Sequence, residues 1–132
     1  MSIGPVSGNG ISFALSAGKS AFWTVNTQAA YNQYVKLVDP SGNVVFTATG
    51  SGGTNGTPNQ IGSGNFTAVA GNYTIYIGIN NGAQWNQVIW DSDSLVNGGT
   101  VYYSVTTFIS EDGGGTDYND SVVSISYFNS VG

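Results

Sequence analysis

"TVYYSVTTFISEDGGGTDYNDSVVSISYF", residues 100–128, decides the fold. Two runs rich in β-branched and aromatic residues flank an acidic, glycine-rich segment. The first run sets Val101, Tyr103, Val105 and Ile109 at alternating positions, and the second does the same with Val123, Ile125 and Tyr127. A period of two is the signature of a half-buried strand, and no helical period competes with it. The stretch therefore predicts two strands joined by a long loop at one end of a sheet.

The pattern extends in both directions. "NYTIYIGIN" (72–80) aligns Ile75, Ile77 and Ile79, while "SAFWTVN" (20–26), "QYVKLVD" (33–39) and "NVVFTAT" (43–49) are further strand candidates. Turn signals separate them at "DPSGN" (39–43), "INNGA" (79–83) and "VNGG" (96–99). Together they predict an all-β protein: an antiparallel β-sandwich of about nine strands with Greek-key-like connections, and the acidic loop at one end. The 132 residues form one domain, 1–132. Residues 50–65 read as the least structured segment. Trp23 reads as core packing, whereas "QWNQVIWDSD" (84–93) reads equally well as packed or exposed.

Composition removes whole classes of function. With no cysteine, the chain has neither disulfides nor thiolate metal sites. The absence of histidine removes the usual general base and the usual transition-metal ligand. Lys19 and Lys36 are the only basic residues in a chain of net charge −5, so a nucleic-acid partner is excluded. No apolar run is long enough for a membrane span, and the N-terminus lacks the pattern of a signal peptide. The sequence leaves open export by a non-classical route.

Charge is concentrated in the loop. Glu111, Asp112, Asp117 and Asp120 are four of the seven carboxylates. Acids this close repel one another unless something neutralises them. Calcium takes six to eight oxygen ligands from carboxylates, amides and backbone carbonyls, and the run Gly113–Gly115 lets the backbone curl so that oxygens converge. The spacing is not that of an EF-hand. Glycosidase chemistry needs two carboxyls on separate elements flanking a cleft, which four acids on one loop do not provide. With no histidine to activate a nucleophile, the sequence predicts a non-enzymatic protein.

At the loop the chain resembles a known family. "SEDGGGTDYNDSVVSISYF" (110–128) is similar to the C-terminal signature of the calcium-mediated fucose/mannose-binding lectins of bacteria. That signature typically reads S-E-D-G-x-D-x-D-Y-N-D, then an apolar strand and a final glycine, here Gly132. "FALSAGKSAFWTVNTQAAYNQYVKLV" (13–38) resembles the family's first strands. The resemblance implies a calcium-dependent lectin with a nine-stranded sandwich, in which calcium ions in the loop bind sugar hydroxyls directly. It puts Glu111, Asp117, Asn119 and Asp120 on metal-ligand positions, with the Gln28 backbone carbonyl beside them. Asp112, Glu111 and Asp117 fall on sugar-contacting positions, and Ala29, Ala30 and Tyr31 on the short loop that tunes sugar preference. The Gly132 carboxylate falls where the family completes a neighbouring subunit's site, which implies a homodimer or higher homo-oligomer.

Two departures stand out. Gly115 occupies a position where the family has an aspartate, and the segment after Asp120 is longer than in typical members. The first implies one tight calcium ion or a second, weaker one. A calcium-stapled structural or adhesive module without sugar binding is the rival reading of the same loop.

Overall fold

A computed structural model describes residues 3–130. In chain order the strands are β1 (Ile3–Ser7), β2 (Asn9–Ala14), β3 (Ser20–Thr27), β4 (Ala29–Val38), β5 (Val44–Gly52), β6 (Asn59–Thr67), β7 (Asn72–Ile79), β8 (Gln84–Trp85), β9 (Gln87–Asn97), β10 (Thr100–Glu111) and β11 (Ser121–Phe128). They form two antiparallel sheets. One is six-stranded, in the order β1-β9-β10-β11-β3-β6. The other runs β2-β7-β4-β5, with β8 paired to β7. Among the described residues no helix is long and apolar enough to cross a membrane.

The sheets face each other across an apolar core. Val25, Val123, Ile125, Phe108 and Val88 of one sheet and Val35, Leu37, Ile75 and Ile77 of the other are all completely buried. Trp23 on β3 stacks on Phe46 of β5 with ring centroids 3.8 Å apart, joining the two layers. Burial of such rings contributes about 2–3 kcal/mol each. Gly62 and Gly64 of β6 make room for the indole, since a Cβ on either would lie within 3 Å of it.

Four expectations change in detail. The strands number eleven among the described residues, not about nine. The glycine-broken N-terminal stretch contributes two of them: at Gly8 the chain passes from sheet to sheet so close to β7 that a Cβ would sit 2.1 Å from the Ile77 carbonyl oxygen. Residues 50–65 are largely strand, because β6 pairs along β3 despite its composition. The inward face of β10 is Thr106, Phe108 and Ser110, whereas Val105 and Ile109 point outward and are half-buried. A register shift between Val101 and Tyr103 interrupts the alternation in that strand. Finally, Trp90 packs against the core, stacked on Phe108 at 5.5 Å, and Trp85 is half-buried beside Tyr76.

Candidate functional site

β10 and β11 pair in register up to Ser110 and Ser121, so residues 112–120 close one end of the sandwich as a hairpin loop. The loop is tied down at its base. The Asp120 amide donates to the Ser110 carbonyl at 3.0 Å, and the Asp112 amide donates to Asp120 Oδ2 at 2.8 Å. Left-handed backbone at Gly114 (φ 91°) and Tyr118 (φ 49°) turns the chain back on itself. Glu111 and Asp120 are consequently buried, at 8% and 9% exposure.

Two other segments converge on this loop. Gln28 sits between β3 and β4, and its amide donates to the Asp120 carbonyl at 3.3 Å. Its side chain accepts from Asn119 Nδ2 at 3.1 Å and donates to the Gly56 carbonyl at 3.0 Å. With Asn119 Nδ2 engaged in this way, Asn119 Oδ1 is the atom free to act as a ligand. Gly53, Thr54 and Gly56 of the β5–β6 loop complete a cavity of about 330 Å³. Gln28, Ala29, Ala30, Tyr31, Asp112, Asp117, Asn119 and Asp120 all line it. Glu111 does not line it, but carboxylate oxygens of Glu111, Asp112 and Asp120 lie within 4.8 Å of one another. Gly132 lies outside the described residues. None of the three tryptophans lines the cavity.

The electrostatics record the crowding. Burial pushes the Glu111 carboxyl up, but the hydrogen bond shared with Asp117 and those from the Gly113 and Tyr118 amides pull it below the usual range. The exposed Asp117 is raised, chiefly by its side-chain hydrogen bond with Glu111. Asp120 is pushed up to about 7 by burial and by the neighbouring charges of Asp112 and Glu111. Like charges this close disfavour full ionisation of the cluster.

The donor set fits a hard divalent cation. Every candidate ligand is an oxygen, and Glu111 Oε1 is buried with no hydrogen-bond partner. Native structures rarely strand a buried carboxylate oxygen, and a metal ion satisfies it directly.

Sequence reasoning missed a buried polar group behind the loop. Gln33, Asn86, Ser110 and Ser121 are essentially inaccessible to solvent, and Gln33 Nε2 donates to Asp112 Oδ2 at 2.8 Å. Gln84 adds a bond from its side chain to the Asp112 carbonyl at 3.2 Å.

The model of the family described as fucose-binding lectin II (PA-IIL) matches residues 13–129. Among solved structures, the chain is similar to the Chromobacterium violaceum lectin CV2L in complex with alpha-methyl-fucoside. The identity is 26%, the TM-score 0.71, and the match covers 92% of this chain and 96% of that one. It is also similar in fold to a high-affinity mannose-binding lectin of Ralstonia solanacearum, at 24% identity and TM-score 0.69, over 92% of this chain and 96% of that one. The C-terminal domain of the lectin BC2L-C from Burkholderia cenocepacia shares the fold at 19% identity and TM-score 0.69, over 96% of this chain and all of that one. No curated protein matches the chain by sequence.

Proposed function

The chain belongs to the fucose-binding lectin II family, and from that premise we propose that it is a calcium-dependent lectin for fucose- or mannose-type sugars. Lectins bind sugars without transforming them, so the protein is not an enzyme. The observation that carries the reading is the all-oxygen cluster of Glu111, Asp112 and Asp120, of which Asp112 and Asp120 line the cavity, with one buried Glu111 oxygen left unpartnered. Glu111, Asp117 and Asp120 supply negative charge, and Asn119 Oδ1 and the Gln28 carbonyl complete the ligand set. A bound calcium ion offers open coordination positions to a vicinal pair of sugar hydroxyls.

The chain's own residues do the rest. Asp112 accepts a hydrogen bond from a sugar hydroxyl, a contact strengthened by its charge. Ala29, Ala30 and Tyr31 form one wall and choose among sugars by shape. Thr54 and Gly56 line the same cavity. Because the site is tied down before ligand arrives, little ordering entropy opposes binding.

The reading includes a homodimer or higher assembly. β11 runs away from the loop for eight residues, roughly 25 Å at about 3.3 Å each. The reading takes Gly132, which lies outside the described residues, as a ligand in a neighbour's site, as the family resemblance implies. Sugar binding measured with and without a calcium chelator tests the proposal.

A further inference from the structure

We propose that Gln33 is the positioning residue that sets the sugar preference of this site. The inference rests on the lectin reading above. Gln33 lies on β4 with no exposed surface, two residues after Tyr31. Its Nε2 donates to Asp112 Oδ2 at 2.8 Å and to the Tyr31 carbonyl at 3.3 Å. Its Oε1 accepts from Ser121 Oγ at 2.8 Å and from Asn86 Nδ2 at 3.0 Å.

This arrangement permits one orientation only. A carboxylate and a carbonyl cannot donate, so they require the amide nitrogen on their side. With the nitrogen so placed, the Ser121 hydroxyl and the Asn86 amide donate to the oxygen on the other side. Every hydrogen-bonding position of the Gln33 carboxamide is used, which locks its rotamer.

The two groups on the nitrogen side are the ones that meet a sugar from different directions. Asp112 belongs to the acidic loop and Tyr31 to the start of β4, and both line the cavity. Among the described residues Gln33 is the one side chain hydrogen-bonded to both. It fixes the distance between the charged acceptor and the selecting wall. One Asp112 oxygen is held, which leaves the other for the ligand. Gln33 does not line the cavity, so its influence passes through Asp112 and Tyr31.

The test uses the full chain and three variants. Gln33→Glu keeps the size and the acceptor for Ser121 and Asn86, but sets a second carboxylate against Asp112. Gln33→Met removes all four bonds and carries the same test should Gln33→Glu not fold. Asn86→Ala disturbs the same buried group while leaving both Gln33 donor bonds in place. Calorimetry then measures calcium, methyl fucoside and methyl mannoside binding, alongside thermal melting. The expected result is a change of about fivefold or more in the fucoside-to-mannoside affinity ratio for the Gln33 variants, with calcium affinity within about twofold of wild type for Gln33→Met, which adds no charge beside the acidic cluster. Asn86→Ala should melt earlier and keep the wild-type ratio. A Gln33 ratio that stays within about twofold of wild type, or one that Asn86→Ala reproduces, overturns the inference. Failure of the wild-type protein to bind either glycoside overturns the lectin reading itself and this inference with it.

Discussion

Gly115 faces the Glu111 carboxylate: a Cβ built on Gly115 would lie 3.2 Å from Glu111 Oε2 and 3.3 Å from Oε1. Gly115 is not in the left-handed region, unlike Gly114 (φ 91°). A side chain is therefore permitted there, and it would point into the acidic cluster once Glu111 yields by a few tenths of an ångström. Gly115→Asp should add the missing negative ligand. We expect the native protein to bind one calcium ion tightly and a second more weakly, and the variant to tighten the second by about tenfold or more. Calorimetric titration checks this. An unchanged second step would show that the added carboxylate does not reach the metal.

Calcium should stabilise the fold by mass action. At a hundredfold excess over Kd the gain is about 2.7 kcal/mol, or roughly 10 °C in Tm for a domain of this size. Asp117→Ala and Asp120→Ala should each abolish most of that gain. Thermal melts with calcium and with chelator measure it, and a chelator-insensitive Tm would contradict the metal reading.

The pH dependence has an unusual sign. In the metal-free protein Asp120 is raised from 3.8 to about 7. A carboxyl raised on folding favours the folded state below its unfolded value, and that contribution disappears as pH rises to about 7. Metal-free stability should thus fall from about pH 4 to pH 7, and Asp120→Asn should flatten the profile. Protons also compete with calcium for Asp120, so calcium affinity should drop about tenfold per pH unit below 7. Urea titrations and calorimetry across pH 4–8 read both effects.

A C-terminal tag should weaken calcium or sugar binding far more than an N-terminal tag, because a ligand from Gly132 would enter a neighbour's site. Equal effects of the two tags, measured by calorimetry, would remove the C-terminus from the site.

Much of this was legible in the sequence because the signals were local. The acidic loop and its flanking strands are contiguous, and Ile75, Ile77 and Ile79 alternate cleanly into the core. β10 was harder to read. Its inward face holds Thr106 and Ser110, and its outward face holds Val105 and Ile109, so hydrophobicity pointed the wrong way. The buried polar group was hidden by abundance, since Gln and Asn are common throughout the chain. One clue existed. Gln33 shares the parity of Val35 and Leu37, and Ser121, at the loop end of its strand, that of Val123 and Ile125, so both were placed inward. Polar residues at core parity beside an acidic loop mark the supports of a site. The contribution of Gly53–Gly56 had no such clue, because it depends on where a turn between sheets happens to fall.

The most direct test is a glycan array, followed by titration of methyl fucoside and methyl mannoside, with calcium and with chelator. The account predicts binding of fucose- or mannose-type sugars that chelator abolishes and added calcium restores. Calcium-dependent stability with no sugar bound under either condition would contradict it, and would leave a calcium-stapled structural module.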